Sequence, residues 1–207
     1  MTGMTEVPAR PDGLRERKKA RTRAAIRQHA LRLFREQGYA ATTIEQIAAA
    51  AEVSPATFFR YFPTKEDVVL QDDFDIVTLE ALDAQPLDMG PIAAFRGAAA
   101  AARAQMSGED LDRFAETTRL TLSVPEIRAR ALDELIRTTD VITSAIAARI
   151  GRDADDFATR NMAGAIIGVI MAATMPWQAV ANGGPNVDDL FDRIDAGLAH
   201  LEAGLPL

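Results

Sequence analysis

From Arg17 to Gln37 the apolar positions Ile26, Ala30, Leu33 and Phe34 fall at i, i+4, i+7 and i+8, which predicts an amphipathic helix. Gly38 stops it, and its other face is basic, with Arg21, Arg23, Arg27, Arg32 and Arg35. A shorter stripe follows. Ile44, Ile47, Ala48 and Ala51 share one face behind Thr42-Thr43, with Glu45 or Gln46 at the capping-box position, so a helix of two turns is predicted. Glu52-Val53 then makes a turn. Ser54 caps a second helix that runs to about Phe62, and Pro55 occupies its first position, where a missing N–H does no harm. Phe58 and Phe62 share a face and are predicted to pack with Val53. That leaves Pro55, Ala56, Thr57, Phe59, Arg60 and Tyr61 outward. Pro63 ends the helix and Thr64 caps the next, with Lys65 in its first turn.

Beyond residue 64 helical periodicity continues, and no alternating β-branched run suggests a strand. Helices are predicted at about 65–84, 91–106, 109–123, 125–150, 154–181 and 187–203. Pro86 and Pro91, Ser107-Gly108, Pro125, Gly151 and the Asn182-Gly183-Gly184-Pro185 cluster separate them. The stripe Ile127, Ala131, Leu135, Ile142, Ile146 and Ile150 marks the fourth. The chain therefore reads as all-α: a disordered tail over 1–13, a small three-helix domain over 17–70, and a larger helical bundle over 71–207.

Charge sharpens this division. Residues 1–67 carry 12 Lys/Arg against 8 Asp/Glu, whereas residues 68–207 carry 11 against 22. All three lysines, Lys18, Lys19 and Lys65, fall in the first third. A basic module joined to an acidic body is the pattern of a DNA-facing domain fused to something else. Residues 1–25 hold no apolar run that would serve as a signal peptide, and the apolar stretch from Ala163 to Val180 is rich in small residues, so a cytoplasmic protein with no membrane partner is expected. With no cysteine there is no disulfide or thiolate metal site, and neither His29 nor His200 follows a Glu by three residues. No phosphate-binding glycine loop, nucleophile elbow or zinc-protease motif appears, so no catalytic residue, metal or cofactor is assigned.

The outward residues of the 55–62 helix do make chemical sense against DNA. Ala56 leaves room for bases and can touch a thymine methyl. Thr57 can donate to a phosphate, and Arg60 and Tyr61 can reach the backbone. Lys65 can place a charge and a helix N-terminus beside another phosphate.

The segment ATTIEQIAAAAEVSPATFFRYFPTKEDVV, preceded by ALRLFREQGY, closely resembles the DNA-binding domain of the TetR family of bacterial regulators over residues 20–70. The resemblance implies that Thr43, Thr57, Tyr61 and Lys65 contact phosphates and that Ser54, Pro55, Ala56 and Phe59 lie nearest the bases. It implies that Lys18, Lys19 and Arg21 form a basic arm toward backbone or minor groove. Two positions depart from the family pattern: Glu52 replaces a turn glycine, which costs energy if its φ is positive, and Phe59 replaces a tyrosine and loses a hydroxyl.

The same resemblance implies a homodimer formed through the last two long helices and a small-molecule effector bound within the bundle. Ala163, Gly164, Ala165 and Gly168 would allow close helix contact, and a symmetric dimer matches a palindromic double-stranded DNA operator. Phe95, Met106, Phe114, Leu122, Met171, Met175 and Trp177 are the candidate effector-lining residues, being aromatic or flexible and apolar. The segment Arg119 to Pro125 with Arg128-Ala129-Arg130 resembles an actinobacterial branch of the family associated with acyl-CoA-like ligands. A repressor released by an apolar or acyl ligand is thus expected. The alternative is a helical small-molecule binding protein or enzyme with a vestigial DNA module.

Overall fold

Arg, Lys, Ala, Gln and Glu dominate the first helix, and their high helix propensity carries it well beyond its buried stripe. In the computed structural model, which describes residues 11–71, 74–174 and 187–206, α1 runs from Pro11 to Gln37 without a break. Residues 11–13, expected in a disordered tail, are its first turn, with Pro11 at a position that tolerates it; residues 1–10 lie outside the described residues. Gly38 ends it at φ +86°, its N–H donating to Phe34 O at 3.0 Å. The buried stripe is Ile26, Ala30, Leu31 and Phe34, so Leu31 takes the inward place expected of Leu33, which is half-buried. Arg27, expected on the basic solvent face, is buried instead and donates through Nε to Val68 O at 3.2 Å. A buried helix-end carbonyl needs such a donor.

The chain divides into two units, Met1–Val69 and Leu70–Leu207. In the first, α2 (Ile44–Ala50), α3 (Pro55–Tyr61) and the start of α4 (Asp67–Leu70) follow α1. Phe58 and Phe62 are fully buried, as are Ile26, Ile47 and Val68, and the two phenylalanine rings are 6.0 Å apart. Arg23 lays its guanidinium over the Phe62 ring at 5.2 Å. Between α2 and α3, Glu52 sits at φ +53°, the left-handed conformation that favours glycine. For a non-glycine residue this costs about 1–2 kcal/mol, partly offset by the lower entropy of its unfolded chain. Glu52→Gly is therefore expected to stabilise this unit by roughly 0.5–1 kcal/mol, read as slower hydrogen exchange at the α2 amides; unchanged or faster exchange would show that the turn carries no such cost.

In the second unit lie α5 (Phe74–Asp83), α6 (Pro91–Gln105), α7 (Gly108–Ser123), α8 (Pro125–Ile150), α9 (Phe157–Thr174) and α10 (Val187–Glu202). There is no strand among the described residues, as the all-α reading expected. The single helix predicted over 65–84 is two, α4 and α5. Pro91 and Pro125 open helices at their first turn, and Gly151 closes α8 in the left-handed conformation at φ +66°. A reciprocal cap joins Ser107 and Asp110 at the start of α7, and the hydrogen bonds from Ser107 hold the Asp110 carboxyl below its usual range.

The main core brings together Leu82 of α5, Phe95 and Ala98 of α6, Ile142 and Ile146 of α8, Ile166 of α9 and Leu198 of α10. The predicted α8 stripe is only partly inward: Ile127, Ile142 and Ile146 are buried, Ala131 and Leu135 half-buried, and Ile150 exposed. Steps of four residues drift around a 3.6-residue helix, which is why the two ends of such a stripe cannot both face one core. Three polar ties add to the packing. Arg149 of α8 donates to the carbonyl of Leu82 in the last turn of α5 and to those of Gln85 and Pro86 just past it. Arg96 of α6 grips both carboxylate oxygens of Asp195 at 2.8 and 3.0 Å and reaches Glu202 at 3.0 Å. Arg103, two turns on, pairs with Asp188 and Asp192 and covers the Phe191 ring at 5.4 Å. The Arg96 hydrogen bonds hold the Asp195 carboxyl below its usual range, a contribution present above the ordinary carboxylate pKa and lost as pH falls through the lowered one.

Candidate nucleic-acid interface

Two caps build the interface. At the start of α2, Thr43 Oγ1 accepts from Gln46 N at 3.2 Å while Gln46 Oε1 accepts from Thr43 N at 2.9 Å, so Gln46, rather than Glu45, completes the capping box. Gln37 of α1 ties this box down by donating from Nε2 to Gln46 Oε1 at 2.9 Å and to Thr42 Oγ1 at 3.1 Å. Thr43 stays exposed, with its hydroxyl proton left for an acceptor beyond the helix. At the start of α3, Ser54 accepts from Thr57 N at 3.1 Å, and the two hydroxyls stand 3.0 Å apart. One donates to the other, so a single proton remains for an outside acceptor.

The helix so capped presents the face expected of it. Pro55, Ala56, Phe59 and Arg60 are exposed, and Thr57 and Tyr61 are half-buried. Phe59 is half exposed and held edge-on against the buried Phe58, with ring planes at 89° and centroids 5.7 Å apart. Arg60 sits over the Tyr61 ring at 5.5 Å, so guanidinium and phenol are presented together. Val53 is half-buried and lines a surface cleft.

Lys65 has an internal partner set that the sequence did not reveal. Its ammonium donates to Tyr39 O at 2.9 Å and Thr42 O at 3.0 Å and lies 4.0 Å from the Tyr39 ring centroid. Tyr39 in turn donates from its hydroxyl to Glu66. Burial pushes the Glu66 carboxyl up, but that hydrogen bond, its backbone bonds and the Lys65 charge together carry it below the usual range. Thr64 and Asp67 cap the next turn reciprocally, at 3.0 and 3.2 Å. Lys18, Lys19 and Arg21 are exposed on α1. They lie within α1, in the part of the helix predicted from Arg17.

The effector candidates separate into two groups. Phe95 is buried in the main core, and Met171 packs against it. Phe114 and Leu122 instead pack on Ala173 and Leu190, with Phe114 stacked on Phe191 at 5.3 Å. Met106 is half-buried at the end of α6, and Met175 and Trp177 lie outside the described residues. A surface cavity of about 250 Å³ between α6 and α10 is lined by Arg96, Arg103, Phe191 and Leu198 among others. None of the predicted residues lines it directly. Among the described residues no group of His, Cys, Asp or Glu is placed to hold a metal. Helix α9 is long and apolar enough to cross a membrane, with mean hydropathy 1.3, yet its Ala163, Ile166 and Ile167 pack into the core just described.

Comparison with known proteins agrees with this geometry. Residues 26–71 match the family model of bacterial regulatory proteins of the tetR family, and residues 89–206 match that of the MftR C-terminal domain. The transcriptional regulator TcmR of Streptomyces glaucescens is 39% identical over 151 residues, covering 70% of this chain and 67% of TcmR. MftR of Mycobacterium tuberculosis, a transcriptional regulator named for mycofactocin biosynthesis, is 26% identical over 89% of this chain and 95% of its own. Among solved structures, FadR of Thermus thermophilus, a TetR family repressor in complex with lauroyl-CoA, is 27% identical over 89% of this chain and 95% of its own, with a TM-score of 0.55. With two capped helices, an exposed aromatic and basic recognition surface, and both halves of the chain matched, the protein belongs to the TetR family of DNA-binding transcriptional regulators.

Proposed function

We propose that this chain, as a homodimer in the cytoplasm, represses transcription from a palindromic operator and is released by a small apolar or acyl-type ligand bound within the α5 to α10 bundle. The observation that carries the DNA part is α3: two buried phenylalanines fix it, and Pro55, Ala56, Phe59 and Arg60 are exposed at its surface. In this reading Ser54, Pro55, Ala56 and Phe59 lie nearest the bases. Thr43, Thr57, Tyr61 and the Lys65 turn meet phosphates. Support for an acyl ligand comes from the likeness to the lauroyl-CoA complex of FadR and from the apolar group of Phe114, Leu122, Ala173 and Leu190.

A second copy is supported by the outer face of α9. Gly164, Gly168 and Ala172 recur every four residues there, all exposed, and a Cβ added at either glycine meets nothing within 4 Å. Small residues with open space before them let another helix approach closely. A ligand favouring one spacing of the paired recognition helices over another then shifts the population away from the DNA-bound state.

Fluorescence anisotropy with a duplex from the DNA immediately upstream of the chain's own gene tests this, with lauroyl-CoA as the ligand probe. Binding about a thousandfold tighter than to random duplex is expected, with release on adding lauroyl-CoA. Equal affinity for random duplex would sink the operator reading. Specific binding that lauroyl-CoA leaves untouched would sink the acyl ligand alone.

A further inference from the structure

Between Arg96 and Arg103 helix α6 consists of Gly97 and successive alanines over residues 98–102. Alanine reaches no further than its Cβ, so this stretch offers α10 a smooth face with no ridge to interlock. The contact is also underfilled. The surface cavity of about 250 Å³ lies there, between Ala99 and Ala100 on one side and Phe191, Ile194 and Leu198 on the other. Among the α6 residues lining it, only the two arginines extend past Cβ. Arg96 forks onto Asp195 at 2.8 and 3.0 Å and reaches Glu202, while Arg103 holds Asp188 at 2.6 Å and Asp192 at 3.2 Å, so the two grips fall on opposite halves of α10. Exposed ion pairs add little to stability, whereas a forked guanidinium fixes geometry.

Each grip sits beside a residue of the effector reading. Phe95, buried in the main core, precedes Arg96, and half-buried Met106 lies one turn beyond Arg103. A helix moves as one stiff element, so a ligand that displaces the inner face of α6 carries both guanidiniums with it. On its far side α10 is keyed to α9. A Cβ built on Gly197 would come within 2.6 Å of Val169 Cγ1, so the two helices meet there in close contact.

We propose that Arg96 and Arg103 couple the ligand site of the bundle to the α9 face that carries Gly164 and Gly168. Occupation of the bundle displaces α6, the two forks draw α10 with it, and the contact of Gly197 with Val169 passes the shift to α9. The inference rests on the effector and homodimer reading above and names the residues that carry its regulation. Arg96 and Arg103 touch neither ligand nor DNA in this scheme. They are positioning residues.

Operator anisotropy with the full chain and the upstream duplex tests the coupling in two arms. In the first, lauroyl-CoA is expected to weaken wild-type operator binding by about 5- to 150-fold, and that of the double variant Arg96→Met, Arg103→Met by less than about 3-fold. The double variant still binds lauroyl-CoA and, ligand-free, binds the operator within about 3-fold of wild type. Arg96→Lys, Arg103→Lys, which keeps both charges, recovers most of the response. The second arm needs no ligand. Ala98→Val overfills the core against α6 and is expected to weaken operator binding severalfold in the wild-type background but not in the double variant, all on samples that unfold cooperatively. A double variant that answers lauroyl-CoA or Ala98→Val as fully as wild type overturns the coupling, as does an Ala98→Val substitution without effect in the wild-type background. A wild type that selects the operator but ignores lauroyl-CoA overturns the acyl ligand, and the second arm then decides the coupling. Equal wild-type affinity for operator and random duplex overturns the operator reading instead.

Discussion

Ala56→Glu is expected to weaken operator binding at physiological salt by roughly 30-fold or more while leaving the fold as stable as before or slightly more so. Ala56 is exposed one residue after Pro55, in the first turn of α3. A carboxylate there faces the positive end of the helix dipole, a favourable interaction of about 0.3–1 kcal/mol. Against DNA the same carboxylate meets phosphates and the acceptor-rich edges of bases, and it fills the space that alanine leaves for them. A lost base-pair contact costs about 1–3 kcal/mol, and two half-sites double it, so affinity should fall by roughly 30-fold to 10⁴-fold. Anisotropy titration and thermal unfolding of the same sample measure the two effects. A variant that binds the operator as wild type would remove α3 from the interface. One that loses binding because it has unfolded would show a lowered transition.

Lys65→Ala is expected to give the largest stability loss. Its ammonium satisfies two carbonyls, of Tyr39 and Thr42, in the turn that leads into the Thr43 cap. Charge-assisted hydrogen bonds contribute about 1.5–3 kcal/mol each, and this site is part-buried, so a loss of roughly 2–4 kcal/mol from the N-terminal unit is expected. Hydrogen exchange at Ile47 and Ala51, whose amides close α2, reports it. Lys65→Met, which keeps the stem over Tyr39, should recover part of the loss. The salt slope separates two roles. A lysine that neutralises a phosphate lowers the slope by about 1 per copy when removed, whereas one that only positions Thr43 weakens binding with the slope unchanged. The hydrogen bonds to Tyr39 and Thr42 point to the second. Unchanged α2 exchange in Lys65→Ala would show that these bonds do not hold the turn.

Much of the framework of the candidate interface was legible because its signals are local. Thr43 and Ser54 cap their own helices, Pro55 occupies a first turn, and Phe58 and Phe62 lie one helical turn apart. Each is a statement about residues within four positions of one another. Glu52 belongs to the same class: the missing glycine predicted a strained turn, and the left-handed φ is there. The misreadings have a common origin in distance along the chain. Arg27 read as a solvent arginine because its partner, the Val68 carbonyl, lies 41 residues away. Lys65 read only as a phosphate ligand, and its hold on two carbonyls stayed hidden because they lie 23 and 26 residues back. The first turns of α1 were missed for a different reason. The polar segment before Arg17 has no buried stripe to announce a helix, although Arg15, Lys18, Lys19 and Thr22 already carry helical spacing.

The C-terminal bundle shows the same limit more strongly. Its helix breaks follow from Pro91, Pro125 and Gly151, but apolar periodicity cannot distinguish a residue that lines a ligand site from one that fills a core. Phe95 and Phe114 were alike in sequence. In the fold Phe95 is sealed among Leu82, Ile146 and Leu198, while Phe114 stacks on Phe191 in a separate group.

By itself, then, the sequence determined an all-α chain with a basic, doubly capped recognition module at its N-terminal end, because caps, turns and helical periodicity are set by neighbours a few residues apart. Only the tertiary structure decided which cations hold the fold and which stay exposed to solvent. That sorting depends on which carbonyls and rings burial leaves in need of a donor, and those groups come from helices far apart along the chain.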